Sequence, residues 1–275
     1  MSFRIAVLAN RDVESCIALN LLHRALGRRI RAVYLSERVG GRTPVARALE
    51  PLGFIEQDFF ARYLTPAAAA EPLGGRFFTF DECEVAIGVP AHVLDSARTT
   101  AGLDALRRAD ADLFLSVRFG HILNDPAIAI PRHGVLNLHS GLLPDYRGVL
   151  ATFRALLNGD AEIGCTLHWI DSSEIDEGAV IGTQRIPVQP TQSLLWHILA
   201  LYPPGIAMMA RAALAVEAGQ PLAAEAQVPG SGAYYSYPTA DDVARFTAAG
   251  WRLYGRDDVE ALAARFSAPP PPSVA

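Results

Sequence analysis

The sequence predicts an α/β fold, a doubly wound and mostly parallel sheet with a Rossmann-like core and a small carboxyl-terminal appendage. Three observations predict it. An apolar run at residues 4–9 is followed by a helical pattern through Ile17, Leu21, Leu22, Ala25 and Leu26 and by a second apolar run at 30–35, a β-α-β opening. The alternation returns with a strand over 89–94, a helix over about 98–109 and a buried strand over 112–117. At 134–139 an apolar run ends in polar side chains, and the carboxyl edge of such a sheet is where ligands collect. With 275 residues, 51% hydrophobic and 19% charged, the chain is expected to form one main domain over 1–220, an appendage over 221–267 and a disordered tail over 268–275.

In order along the chain, the first loop is Asn10-Arg11-Asp12-Val13-Glu14 and lacks G-x-G-x-x-G, so no nicotinamide cofactor is expected. Residues 37–80 read as irregular connections and a variable helix, punctuated by Gly40-Gly41, an alanine run at 67–70 and Gly74-Gly75. The strand at 112–117 runs into Arg118-Phe119-Gly120-His121-Ile122-Leu123, whose glycine allows close backbone approach to a ligand. Beyond the strand at 134–139, Ser140-Gly141 and Pro144 break the chain, and a short helix spans 149–158. A strand over 165–170 leads into the loop Asp171-Ser172-Ser173-Glu174-Ile175-Asp176-Glu177-Gly178. Thr191 is expected to cap a helix that Pro203-Pro204 interrupts, with a second helix over about 205–218. The aromatic cluster Tyr234-Tyr235-Ser236-Tyr237 reads first as a strand packing the appendage, and second as a wall beside an acceptor.

Composition excludes several functions. The net charge is −5 and the basic residues are scattered, giving no electrostatic footprint for nucleic acid. The chain has no lysine, which removes a Schiff-base lysine and the lysine of a P-loop. Cys16, Cys83 and Cys165 are isolated, without the spacing of a zinc site or disulfide framework. No apolar run reads as long enough to span a bilayer, so the expectation is a cytoplasmic protein without membrane contact.

The chemistry centres on Asn137 and His139. They are two apart on a strand and so share a face. With Asp176 they offer what acyl transfer to an amine needs: an oxyanion donor, an imidazole and a carboxylate to orient it. A Ser140-His139 nucleophile pair is disfavoured, because adjacent strand residues face opposite ways. Metal binding by His139 and Asp176 lacks a third ligand at a recognisable spacing, and no metal is expected.

Four segments, in matching order and spacing, resemble the folate-dependent formyltransferases. They are Phe119-Gly120-His121-Ile122-Leu123; the block Asn137-x-His139-x-x-Leu142-Leu143-Pro144-x-Tyr146-Arg147-Gly148; Gly164-Cys165-Thr166; and Ile175-Asp176-x-Gly178-x-Val180-Ile181. The family includes methionyl-tRNA, glycinamide ribonucleotide and sugar-nucleotide formyltransferases. The resemblance implies that 10-formyltetrahydrofolate donates the formyl group and that Asn137, His139 and Asp176 fall on the catalytic triad. It places the pterin between Phe119, Gly120, His121, Ile122 and Leu123 on one side and Ser172, Ser173, Glu174 and Ile175 on the other. Asn10, Arg11, Tyr146 and Arg147 are the candidate acceptor-binding residues.

The sequence departs from the family at two places, the first bearing on the pterin contacts of Ser172 to Glu174 and the second on the acceptor. The segment 166–176 reads one residue longer than its counterpart, and the glycine-rich first loop of the ribonucleotide enzyme is replaced. The residues after 220 also read as too few for the tRNA enzyme's carboxyl-terminal barrel. The expected partner is therefore a small-molecule amine or hydroxylamine, such as an amino sugar nucleotide or a natural-product intermediate, and the oligomeric state stays open. Hydrolysis of the formyl donor by the same triad is the alternative activity, and folate binding without turnover the third reading.

Overall fold

The computed structural model describes residues 2–37, 39, 44–64 and 76–267. The glycine pairs at 40–41 and 74–75, the alanine run at 67–70 and the tail at 268–275 lie outside the described residues.

A seven-stranded sheet in the order β3-β2-β1-β4-β5-β7-β8 organises the chain. β1 (Ile5–Asn10) and β2 (Ile30–Ser36) pair in parallel around α1 (Val13–Leu26), the expected opening unit. Asp12 caps α1 by accepting the Ser15 N–H at 2.8 Å, which satisfies one of the helix's orphan donors. α2 (Glu50–Gly53) runs directly into a π-helical stretch, Phe54–Leu64. After α3 (Cys83–Ile87), the strand expected over 89–94 shrinks to β3 (Ala91–Val93), since Pro90 has no N–H to give the ladder.

α4 (Thr100–Arg108), β4 (Leu113–Val117), α5 (Asp125–Ile128) and β5 (Val135–His139) follow, and β1 to β5 are all parallel. β4 pairs with β1 on the side away from β2, so the winding reverses between β1 and β4 and a crevice opens at their carboxyl ends. β6 (Tyr146–Gly148) leaves the sheet; after α6 (Ala151–Asn158), β7 (Glu162–Ile170) and β8 (Val180–Pro187) add antiparallel strands beside β5.

The prolines at 203 and 204 do not break the next helix. α7 (Leu194–Glu217) is one helix of 24 residues with both prolines inside. Each proline removes a backbone donor, a cost of about 3 kcal/mol or more. Burial of Ile198, Tyr202, Ile206 and Met209 among many others offsets it. The same continuity corrects the expectation about apolar runs: by length and composition α7 is long and apolar enough to cross a membrane, and most of it is buried inside the protein.

Residues 221–267 hold β9 (Ala233–Tyr235), α8 (Ala240–Ala248) and α9 (Arg256–Ser267). They share the main core. Val243, Phe246, Leu262 and Phe266 belong to the same apolar cluster as Ile5, Val7 and Ile17. Phe246 stacks on Phe153 with ring centroids 4.4 Å apart, and Phe266 packs on Phe60 and Phe77.

Candidate active site

A cavity of about 800 Å³ opens at the carboxyl ends of β4 and β5, a volume suited to an organic ligand. Three of the four described non-glycine residues at positive φ, Arg118, Leu150 and Asp176, line it. Strained backbone thus concentrates where side chains are aimed at the cavity.

β5 sets the first two polar side chains. Asn137 and His139 face the cavity two residues apart, and antiparallel pairing puts His168 opposite Asn137 and Thr166 opposite His139. The His139 Nε2–H donates to the Tyr146 carbonyl at 2.6 Å, which turns Nδ1 toward Asp176 Oδ2 at 3.4 Å. A proton on Nδ1 would therefore be held against a carboxylate. Gly141 makes room for this arrangement: a Cβ there would sit 2.7 Å from His139 Nε2 and 2.9 Å from the Tyr146 carbonyl oxygen.

Asp176 comes from the loop after β7, in the left-handed region at φ 57°. Its Oδ2 accepts the Gly148 N–H at 2.9 Å and its Oδ1 lies 3.5 Å from His168 Nε2. Burial opposes its ionisation, but the charge of His139, the adjacent His168 ring and the Gly148 N–H outweigh burial and hold the carboxyl at about 2. The Gln227 side chain donates to the Asp176 and Gly178 carbonyls at 2.9 and 2.8 Å, so the carboxyl-terminal segment braces this loop.

His168 is the residue that sequence reasoning missed. Its Nδ1–H donates to the Trp169 carbonyl at 2.8 Å, so Nε2 accepts from Asn137 Nδ2 at 3.0 Å. That bond fixes the Asn137 amide and leaves its second N–H for a ligand. The signal was present: a histidine within an apolar strand, eight residues before Asp176 and on the strand that pairs with β5.

Residues 119–123 and 172–175 all line the cavity together with the three polar groups, and the structure brings these two loops to one site. Leu123 is 3% exposed, packed into the core behind its loop. His121 Nε2 bonds the Leu94 carbonyl at 2.6 Å, and Arg98 donates to the Ile122 carbonyl at 3.0 Å. Among the described residues no group of three or more His, Cys, Asp or Glu side chains is placed to hold a metal ion.

The four candidate acceptor residues do not line the cavity. Asn10 is fully buried; its amide bonds Asp12 at 2.7 Å and accepts from Ser36 Oγ at 2.9 Å, and Ser36 Oγ in turn accepts the Gly120 N–H. It braces the 119–123 loop from behind. Arg11 points outward to Asp81, and Arg147 pairs with Glu177. The Tyr146 hydroxyl donates to Asp160 at 2.6 Å, while its carbonyl holds His139. Motif position and strand-end location suggested contact with a ligand; each side chain is instead committed to a partner in the protein.

A family model described as formyl transferase matches residues 86–195, the segment from α3 to the start of α7 that carries all four polar cavity residues. Methionyl-tRNA formyltransferase of Cutibacterium acnes is 37% identical over 122 residues, an alignment that spans 42% of this chain and 38% of that protein. The chain thus matches well under half the length of these curated relatives. Among solved structures, an N-formyltransferase from Helicobacter canadensis, crystallised with folinic acid and dTDP-3-aminofucose, superposes with a TM-score of 0.56 at 15% identity, covering 87% of this chain and 72% of that one. Phosphoribosylglycinamide formyltransferase from Anaplasma phagocytophilum gives a TM-score of 0.55 at 18% identity, covering 87% and 99%. The motifs, the sheet and these matches agree: residues 86–195 are similar to formyl transferases, and the fold is the one that these solved formyltransferases share.

Proposed function

We propose that the protein transfers a formyl group from 10-formyltetrahydrofolate to the amine of a small molecule. The observation that carries this reading is the convergence of Asn137, His139 and Asp176 at the wall of one cavity whose neighbouring lobe is bounded by the 119–123 and 172–175 loops. That lobe suits a pterin: Phe119, Ile122 and Ile175 supply apolar surface, and the loop backbone supplies donors and acceptors for a heterocycle. The Helicobacter canadensis enzyme of the same fold was crystallised with folinic acid, which supports the assignment here.

The roles follow from the geometry. The neutral substrate amine attacks the formyl carbon, forming a C–N bond and a tetrahedral oxyanion. The free Asn137 N–H donates to that oxygen, and positive charge on the neighbouring His139 ring stabilises it. Asp176, held ionised, faces His139 Nδ1 at 3.4 Å and orients the ring. The attacking nitrogen gives up a proton, the folate nitrogen gains one as its bond to the formyl carbon breaks, and the Asp176–His139 pair is placed to relay it. His168 acts through Asn137 as a positioning residue.

Incubating the protein with 10-formyltetrahydrofolate and a library of primary amines, then reading by mass spectrometry which amine gains a formyl group, tests the proposal. The expected result is enzyme-dependent formylation that disappears in His139→Ala. Formylation unaffected by that substitution would contradict it.

A further inference from the structure

Part of the cavity lining, its second lobe, comes from outside the two folate loops. It is bounded by Leu49, Leu52 and Glu56, by Leu150, and by Tyr234 and Tyr237 of the carboxyl-terminal segment. β9 pairs with β6 in parallel, which carries residues 233–235 beside the catalytic loop. Successive strand residues face opposite ways. Tyr235 turns inward, stacked on Tyr146 with centroids 5.9 Å apart and with the Arg154 guanidinium 5.1 Å from its ring centre.

Tyr234 turns the other way, lines the cavity and is 53% exposed. Its ring lies against Gly148, where an added Cβ would come within 3.0 Å of it. The Gly148 N–H is the donor that holds Asp176 Oδ2. An open aromatic face therefore stands against the glycine whose N–H holds Asp176.

Behind Glu56 and Arg118, which line the cavity, lies a buried acidic cluster. Arg118 Nε meets Asp12 at 2.9 Å, and its Nη2 lies 3.7 Å from Glu56 and 4.0 Å from Glu14. Both Glu14 carboxyl oxygens and Glu56 Oε1 are buried without a hydrogen-bond partner. Burial pushes the Glu14 carboxyl well above its usual range. Three carboxyl groups thus surround the one guanidinium of this cluster, and Glu56 is the one of the three that lines the cavity. A phosphate placed here would approach these carboxyl groups unfavourably; a neutral or cationic group would be tolerated.

We infer that this lobe is the acceptor subsite and that it takes an amine carried on a planar, unphosphorylated ring, stacked on Tyr234, with Glu56 setting the charge preference. The inference rests on the formyl-transfer reading and adds the class of acceptor to it. A transferase must keep water from the formyl carbon until the acceptor is seated, and a ring on Tyr234 would cover that approach.

The test uses the full chain with three arylalkylamines, 2-phenylethylamine, tyramine and tryptamine, as acceptors, dTDP as a competitor, and folinic acid as a probe of the donor lobe. At least one arylalkylamine is formylated. In Tyr234→Ala its KM rises about fivefold to tenfold, the scale of a lost aromatic stack, and Tyr234→Phe restores it. In both variants kcat and folinic acid affinity stay at wild-type values, and dTDP competes more weakly than the amine. Formylation of none of the three, an unchanged KM in Tyr234→Ala, or dTDP binding more tightly than the amines overturns the inference. If folinic acid still binds in that event, formyl transfer stands and only the acceptor class falls. Absence of folinic acid binding to the wild type would instead overturn the formyl-transfer reading itself.

Discussion

The cavity has two kinds of wall. One is the sheet edge, where β5 and β7 present Asn137, His139 and His168 in fixed register. The other is irregular chain, the 171–176 loop and the carboxyl-terminal segment that braces it through Gln227 and β9. A hydrogen-bonded strand pair sets each side chain's direction by its position alone, so the sheet edge suits groups that must meet within a few tenths of an ångström. Irregular chain tolerates insertion and exchange, so it suits the contacts that choose a substrate. The two walls therefore predict different failures when changed.

The largest losses belong to the polar groups at the centre. His139→Ala and Asp176→Asn are each expected to lower transfer by about a thousandfold, the upper range for a positioned acid or base. Asn137→Ala is expected to lower it by about a hundredfold, the cost of one oxyanion donor. All three should melt within a few degrees of wild type and keep donor affinity. Steady-state kinetics with folinic acid titration checks this, and loss of folate binding in step with the rate would move these residues from chemistry to cofactor grip.

A smaller effect separates His168 from that group. His168→Ala removes the acceptor that fixes the Asn137 amide, so kcat should drop by about tenfold while the KM of the amine stays put. In the double variant with Asn137→Ala most of the His168 effect should vanish, because its target is gone. Additive losses would show that His168 acts independently of Asn137.

The irregular wall gives milder changes. Gln227→Ala cuts two bonds from the carboxyl-terminal segment to the Asp176 loop and is expected to cost about 1 kcal/mol of stability and a few-fold in rate. Thermal melts and kcat report on each. An unchanged rate would mean that the loop holds Asp176 without help from residues beyond β8.

The smallest effect lies in acid. Asp176 has its carboxyl depressed to about 2, below its unfolded value near 4, so its contribution to stability is complete above about pH 4 and is lost as the pH falls through about 2. Denaturant melts should show wild type losing its stability difference from Asp176→Asn across that window and nowhere near neutrality. A difference that titrates between pH 6 and 8 would place the linkage on the histidines instead.

The contrast between the walls also explains what was legible in the sequence. Apolar runs and period-two spacing identified β1, β2, β4, β5 and β7 and put Asn137 and His139 on one face, because strand geometry is local. His168 was not singled out, since its meaning depends on a register that only pairing with β5 supplies. Pro203-Pro204 suggested a break because local propensity favours one; burial of most of the helix in the core overrides it. Asn10, Arg11, Tyr146 and Arg147 sat near motif positions, but their partners Ser36, Asp81, Asp160 and Glu177 lie 26, 70, 14 and 30 residues away in sequence. The integration of residues 221–267 into the core likewise rests on long-range packing, such as Phe246 on Phe153 and Phe266 on Phe60.

The central claim, that this cavity moves a formyl group to an amine rather than to water, is tested most directly by following both products in one reaction. With labelled 10-formyltetrahydrofolate and a formylated amine from the acceptor screen, the formyl-amine formed should equal the tetrahydrofolate released. Without the amine, the donor should be consumed slowly. Rapid release of free formate in the absence of any acceptor would contradict transfer and make the same three residues the centre of a hydrolase.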